Sequence, residues 1–435
     1  MDFLKERVLR LYRKYLAASL CSALVMSIYS SVDAIAVGQS EGPLGAAAMA
    51  VITPLYGVMA VVSILIGIGG SVLLGNARGE GNEDRARAMF TSSLLLLGVV
   101  TVIVWAVFGL FPQPIFQFFG ADATIYPKTM EYAQWIIRFL PVFLFAMYIG
   151  AFIRNDGAPS LAMAAVILGG GINIFLDWYL VFPLHMGMRG AAIATVTGTC
   201  VQAAVLCSHF FRKGCELRLV KPTQLLRAWR HIFQIGVSAG VLDGGNVVLT
   251  ILINNQIMKY GGADELAIYG VLATVTALFQ SLFYGVGQAI QPLVSYNFGD
   301  GNTQRVKAFL RLALLTVLLM GVVFLLPGEV YPTGLIRLFI DATPEVLTAA
   351  PGIVRLYSLM FLPLGITVLS IYYLQSTLRD KVSMLIAVAR SVALSGALIY
   401  VFPLILGLTG IWIALPVSET MVAIFSLWYI RKEVS

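Results

Sequence analysis

Charged residues, histidine and cysteine are all scarce in this sequence. Asp, Glu, Lys and Arg make up 12% of its 435 residues, whereas 59% are hydrophobic; soluble globular proteins are roughly 25% charged. The composition excludes an ordinary soluble domain and indicates a protein that crosses a membrane many times. Because the chain has three histidines, and four cysteines without C-x-x-C spacing, it carries no metal-ligand or nucleophile motif, which argues against an enzyme, and no disulfide framework.

Long apolar segments follow one another along the chain. Since a bilayer crossing takes about 20 residues, we count the segments of that length or more. The sequence predicts twelve helices, at residues 15–38, 44–76, 86–111, 129–153, 159–182, 188–211, 231–258, 264–297, 306–327, 351–378, 382–402 and 408–430. An all-α polytopic membrane protein is therefore predicted.

The basic residues are distributed unevenly between the two sides of the predicted membrane. Most of the 29 Lys and Arg residues lie at the termini or in loops on the same side as the termini. The loops of the opposite side hold only Lys128, Arg189, Lys259 and Arg337. The positive-inside rule then places both termini in the cytoplasm. The net charge of +7 reflects these loops of a cytoplasmic (inner) membrane protein, and we expect no nucleic-acid partner.

The second half of the chain repeats the first at an offset of about 220 residues. GEGNEDRAR at 79–87 matches GDGNTQRVK at 299–307, and VFPLHMGMRG at 181–190 matches VFPLILGLTG at 401–410. Because six crossings separate equivalent points, two six-helix lobes are expected, related by a pseudo-two-fold axis along the membrane normal. The predicted parts are an N-terminal lobe at 1–215, a cytoplasmic linker at 216–230 and a C-terminal lobe at 231–435.

Asp33 is a carboxylate near the outer end of the first predicted helix. A carboxylate at membrane depth costs roughly 2.5–3.5 kcal/mol, so a compensating role is expected. The fifth predicted helix brings Asp177 to the same depth, with Asn173 one turn deeper, and the sixth brings Thr195 to a comparable level. Such a group offers oxygen ligands to Na⁺, or holds a proton shared between two close carboxylates.

Two other interpretations of these acids stay open. Asp177 stands beside Trp178 and Tyr179 and could be a solvated residue at a helix end. Asp33 could be paired with Arg138 of the fourth predicted helix, because buried charges often exist only in pairs.

The second lobe lacks the acids of the first. At the 220-residue offset, Ile253 takes the place of Asp33, so the acidic site is not duplicated. Asp243, beside two glycines, is the main carboxylate left there and Glu419 is a weaker one, while polar residues recur along the eighth predicted helix and indicate a wet or lobe-facing surface. The candidate residues of a substrate cavity between the lobes are Tyr29, Gln280, Tyr284, Gln288, Asp243 and Asn246.

Several stretches together resemble the multidrug and toxin extrusion (MATE) family over essentially the whole chain. They are VDAIAVGQSEGPLGAAAMAV at 32–51, the GGS…GNARGEGNEDRAR stretch at 69–87, NIFLD at 173–177, RGAAIAT at 189–195 and QPLVSYNFGDGN at 291–302. The resemblance implies a V-shaped pair of lobes in a prokaryotic exporter of organic cations and other drugs, driven by Na⁺ or H⁺.

The resemblance also implies a role for individual residues. Asp33, Asn173, Asp177 and Thr195 match the family's cation- or proton-binding residues, as in the branch whose acidic ion site lies in the N-terminal lobe. Another branch uses acids in helices seven and ten. Here the helix-seven position matches Asn246, and helix ten has no acid.

We therefore expect a secondary active multidrug efflux transporter that exports amphipathic or cationic small molecules by alternating access. We expect a monomer in the bilayer, no cofactor besides the coupling ion, and no enzymatic activity. The alternative is a flippase for lipid-linked precursors, which would need a cationic cavity for pyrophosphate; Arg138, Arg355 and Arg390 keep it open. Duplicated lobes with localised acids argue against a passive channel.

Overall fold

A computed structural model of the chain describes residues 3–222, 224–339 and 343–434. Some helical side chains are also outside the described set, namely those of Tyr29, Ser30, Ser31, Ala34, Pro43, Asp243, Val247, Ala263 and Val434. The described part is built from helices and turns and contains no strand. The predicted all-α class is confirmed.

The described residues of the first half form one very long α-helix followed by five shorter α-helices. They are α1 (Val8–Gly79), α2 (Glu83–Leu110), α3 (Pro112–Phe118), α4 (Ile125–Asn155), α5 (Pro159–Val181) and α6 (Gly187–Cys207). Helix α1 is broken at Gly42, whose φ of 63° and ψ of −151° lie outside the helical region. Since glycine has no β-carbon, it adopts such a conformation at little cost. The break divides α1 into residues 8–41 and Leu44–Gly79.

The described residues of the second half form nine α-helices and a π-helical turn. They are α7 (Leu225–Tyr260), α8 (Ala263–Gly299), α9 (Thr303–Val330), α10 (Pro332–Arg337), α11 (Pro344–Ser358), α12 (Phe361–Ser376), α13 (Asp380–Val388), the π turn Ala389–Ala393, α14 (Leu394–Leu406) and α15 (Leu408–Val434).

The number of membrane crossings follows from helix length and composition. In the described part, eleven helical segments are long and apolar enough to span a membrane. Each of the predicted helices from the second to the twelfth overlaps one of them. The first predicted helix lies in residues 8–41, which are helical but include the side chains outside the described set.

The repeated G-x-G-N motif ends one helix and caps the next in both halves. Gly81 and Gly301 have φ values of 73° and 77°. The Asn82 side chain then accepts a hydrogen bond from the backbone N–H of Arg85 at 3.0 Å, and Asn302 accepts one from Arg305 at 3.2 Å. These are the side-chain caps that an exposed helix N-terminus requires. The repeated G-x-G-N motif therefore forms the same helix end and the same helix cap in both halves.

The chain divides into two compact units. The first unit is residues 13–236, and the second unit is residues 237 onward together with 4–12. We predicted that the C-terminal lobe would begin at 231, after a linker at 216–230. In the structure α7 begins at Leu225, and its first turns pack on α1 at two glycines. A β-carbon at Gly69 would collide with the carbonyl of Ile232, and one at Gly236 with the carbonyl of Leu65.

Candidate functional site

Two glycines bring α5 and α6 into close contact in the first unit. A β-carbon on Gly169 would lie 2.7 Å from the carbonyl oxygen of Gly198, and one on Gly198 would lie 2.9 Å from the β-carbon of Asn173. Small residues at such crossings let helix backbones approach closely. As a result, Nδ2 of Asn173 on α5 donates a hydrogen bond to Oγ1 of Thr195 on α6 at 3.2 Å.

Tyr132 of α4 joins this pair to Asp33. Its hydroxyl donates a hydrogen bond to Oδ2 of Asp33 at 2.8 Å and lies 3.2 Å from Oγ1 of Thr195. The hydroxyl of Tyr56 lies 2.9 Å from that of Tyr132. One tyrosine hydroxyl donates once and accepts twice, so Tyr56 and Thr195 are the donors to Tyr132.

Asp177 lies beside this chain of hydrogen bonds. It interacts electrostatically with Asp33 and with the side chain of Asn173. The structure thus brings together all four residues that the sequence nominated as the ion site: Asp33, Asn173, Asp177 and Thr195. Their role in binding an ion stays a prediction.

Four buried acceptor oxygens of this site have no hydrogen-bond partner among the residues that the structure describes. They are Oδ1 of Asp33, Oδ1 of Asn173, and both Oδ1 and Oδ2 of Asp177. Buried polar atoms are nearly always satisfied, and an unpaired buried carboxylate is especially costly. An all-oxygen set with two negative charges fits Na⁺, a hard cation, or protons placed on the carboxylates.

The other interpretations of these acids do not fit the structure. Asp177 is 0% exposed, so it is not a solvated residue at the helix end. Arg138 is exposed, and its guanidinium lies 5.6 Å from the ring centroid of Trp135, whereas Asp33 is 7% exposed and bonds to Tyr132. The ion pair between Asp33 and Arg138 is absent from the described residues.

A cavity of about 660 Å³ opens beside Asp33 within the first unit. Its wall includes Asp33 and Thr195 as polar groups and Tyr56 and Phe143 as aromatic ones. Four methionines complete the apolar surface: Met26, Met49, Met59 and Met147. Methionine is flexible and polarisable, so surfaces rich in it adapt to ligands of different shape. The volume lies within the roughly 300–1,000 Å³ that is usual for ligand pockets.

The second unit contains a separate cavity of about 260 Å³. Of the predicted substrate-cavity residues, Asn246, Gln280 and Tyr284 line it. The Tyr284 hydroxyl accepts hydrogen bonds from Nδ2 of Asn246 at 3.4 Å and from Nε2 of Gln280 at 2.5 Å. Gln288 is half-buried and is not part of the described lining.

Two further predicted cavity residues cannot be placed. The side chains of Tyr29 and Asp243 lie outside the described residues.

Sequence reasoning missed Tyr132 and the methionines as parts of the site. A tyrosine or methionine within an apolar helix carries no large desolvation cost, so neither attracts notice in the way that Asp33 does. The helical position of Tyr132, about two turns from the N-terminal end of α4, was the available signal.

The three arginines that kept a lipid-precursor flippase open differ in burial and pairing. Arg138 and Arg355 are exposed. Arg390 is buried, but its Nε lies 2.6 Å from Oε1 of Glu419. Arg390 is therefore already paired with an acid, and pyrophosphate recognition would need several cations that converge.

Known proteins similar to this chain include proteins named as multidrug exporters. The chain is 24% identical over 419 residues to the multidrug export protein MepA of Staphylococcus haemolyticus (strain JCSC1435), covering 94% of this chain and 90% of that protein. It is 23% identical over 435 residues to MepA of Staphylococcus aureus (strain MRSA252), covering 98% and 94%.

The fold has close counterparts among solved structures. An outward-facing multidrug resistance MATE family transporter of the MOP superfamily superposes with a TM-score of 0.91 at 18% identity, covering 99% of this chain and 97% of that one. The MatE family model matches residues 18–179 and 246–401. Because the family model covers more than half of the chain, including Asp33, Asn173 and Asp177, the protein belongs to the MatE family, whose members are multi-pass membrane transporters and not enzymes.

Proposed function

We propose that this protein is a monomeric multidrug exporter of the cytoplasmic (inner) membrane that expels amphipathic or cationic compounds in exchange for Na⁺ or H⁺. The unpartnered oxygens of Asp33, Asn173 and Asp177 carry the proposal, since two buried carboxylates need positive charge to be stable. Both termini face the cytoplasm, in keeping with the distribution of Lys and Arg.

The adjoining cavity supports the nature of the cargo. Its methionine and aromatic surface suits apolar bodies of varied shape, and Asp33 supplies a negative charge for a cationic group. Both cargo and ion would use Asp33, so binding of one disfavours binding of the other. Linkage makes that antagonism reciprocal, as an exchange mechanism requires.

The residues of the site have distinct tasks in this exchange. A bound ion supplies the positive charge that neutralises Asp33 and Asp177. Tyr132 orients Asp33 by its hydrogen bond, while the contact between Asn173 and Thr195 keeps α5 and α6 in register. Release of cargo follows when Asp33 no longer presents a free negative charge to the cavity.

Proteoliposomes loaded with ethidium test the proposal directly. An imposed Na⁺ gradient and, separately, an imposed pH gradient are applied, and we expect at least one of them to drive ethidium transport. Asp33→Asn and Asp177→Asn should abolish that transport. Asp84→Asn, which changes an exposed acid of the same unit, should leave it intact. Transport by Asp33→Asn at the wild-type rate, or no transport under either gradient, contradicts ion exchange at this site.

The multidrug relatives favour this function, and nothing in them supports the lipid-precursor flippase.

A further inference from the structure

The second unit holds a buried ion pair that the proposed ion exchange does not use. Arg390 is 4% exposed, and its Nε donates a hydrogen bond to Oε1 of Glu419 on α15 at 2.6 Å. Thr367 of α12 donates its hydroxyl to the other carboxylate oxygen, Oε2, also at 2.6 Å. The carboxylate is therefore satisfied at both oxygens, and the pair is neutral as a whole.

A π-helical turn fixes the position of Arg390. The turn Ala389–Ala393 interrupts the helix between α13 and α14, and such turns are frequent at functional sites. The hydroxyl of Ser395 donates to the carbonyl of Arg390 at 2.5 Å, which satisfies the displaced backbone. Gly245 of α7 packs against Ser391 so closely that a β-carbon would have no room. The hydrogen bond from Ser395 and the contact between Gly245 and Ser391 together fix the backbone at Arg390.

One nitrogen of this guanidinium is left without a partner. Nη1 of Arg390 is buried and forms no hydrogen bond with any residue of the described part of the chain. Arg390 also lines the 260 Å³ cavity of the second unit, together with the hydroxyl or amide groups of Asn246, Gln280, Tyr284 and Tyr357. A buried guanidinium N–H that has no acceptor and lies beside a cavity can donate a hydrogen bond to a ligand in that cavity.

We propose that this cavity is a second ligand site, which binds a small carboxylate-bearing compound through Arg390. A guanidinium prefers a carboxylate as its acceptor. The hydrogen bond to Glu419 uses Nε, so Nη1 can still donate to a ligand. The volume of 260 Å³ is below the roughly 300 Å³ at which drug-sized pockets begin, so the ligand is smaller than a typical drug. The rings of Tyr269 and Tyr357, which meet edge to face with centroids 6.2 Å apart, suit an aromatic acid.

Benzoate binding to the purified full-length protein in lipid nanodiscs tests this site. Isothermal titration calorimetry should show saturable binding of benzoate, and binding of the neutral benzamide at least about ten-fold weaker, because the charge-assisted hydrogen bond is lost. The double variant Arg390→Gln/Glu419→Gln removes both charges together, which avoids leaving an unpaired buried carboxylate. It should lower benzoate affinity at least about ten-fold and leave ethidium transport by the first unit unchanged.

A second variant keeps the test decisive if the double variant fails to fold. Ala273→Leu narrows the same cavity without changing a charge, and it should also weaken benzoate binding while leaving the thermal unfolding midpoint close to that of the wild type. Absence of saturable binding by the wild-type protein overturns the proposal. So does equal benzoate affinity in the folded double variant, or in Ala273→Leu.

Discussion

At the scale of single residues, Tyr132 connects the site. Its hydroxyl contacts Asp33, Thr195 and Tyr56, and its side chain is fully buried. A hydrogen bond to a charged group contributes about 1.5–3 kcal/mol. The orientation of Asp33 therefore depends on a residue that has no charge of its own.

Tyr132→Phe removes only the hydroxyl and should weaken coupling without unfolding the protein. If Na⁺ is the coupling ion, we expect the Na⁺ concentration that gives half-maximal ethidium transport to rise about ten-fold, since losing the orientation of Asp33 costs roughly 1.4 kcal/mol, which corresponds to that factor. If H⁺ is the coupling ion, we expect the half-maximal proton concentration to fall, because the lost hydrogen bond favours the ionised carboxylate of Asp33. The measurement is transport in proteoliposomes over a range of Na⁺ concentrations or pH values.

The matched control lies on the same helix. The hydroxyl of Tyr148 is also fully buried, but it pairs with Ser93 at 2.7 Å and not with Asp33. Tyr148→Phe should therefore leave the ion dependence unchanged. If both variants respond alike, Tyr132 acts through packing and not through Asp33.

The residue scale also shows what the sequence can predict. Asp33 and Asp177 were found because a carboxylate in an apolar helix is costly and hence conspicuous, and helix geometry then placed them at one depth. The pairing of Arg390 with Glu419 depends on how α15 packs against the π turn. No local pattern in the sequence encodes that contact.

At the scale of helices, the contact between α5 and α6 positions half of the site. Gly169 and Gly198 face each other there, with each hypothetical β-carbon less than 3 Å from the other helix's carbonyl oxygen. Periodicity predicted the existence of both helices, since it reports apolar faces. It does not report how closely two backbones approach, so the pairing of Asn173 with Thr195 emerged only from the structure.

Gly198→Ala should push α5 and α6 apart. Overpacking of this kind costs about 1–3 kcal/mol, so we expect a lower thermal unfolding midpoint together with loss of ethidium transport. Gly171→Ala is the control, because a β-carbon on Gly171 of α5 would meet nothing within 4 Å. An alanine there should keep transport and leave the midpoint equal or slightly higher, since glycine disfavours helix by about 0.5–1 kcal/mol. Full transport by Gly198→Ala would show that the close contact is dispensable.

At the scale of the whole molecule, the property to test is the orientation of the chain in the membrane. The repeated sequence and the positive-inside rule predicted two lobes with both termini in the cytoplasm, and the structure provides eleven spanning segments in its described part. The positions of the helices are the same for either orientation in the membrane, so the predicted orientation rests on the distribution of Lys and Arg alone. Lys213 and Lys259 are both exposed, and they lie on opposite predicted sides.

Cysteine labelling of intact cells decides the orientation. In a variant whose four native cysteines (Cys21, Cys200, Cys207 and Cys215) are replaced by serine, single cysteines are placed by Lys259→Cys or Lys213→Cys. A membrane-impermeant maleimide should label Lys259→Cys in intact cells, and Lys213→Cys only after permeabilisation, because Lys213 belongs to the basic segment that the membrane potential and anionic inner leaflet retain in the cytoplasm. Labelling of Lys213→Cys in intact cells, with Lys259→Cys labelled only after permeabilisation, would show that the orientation is the reverse of the predicted one. It would also reverse the direction in which an ion entering at the Asp33 site could drive export.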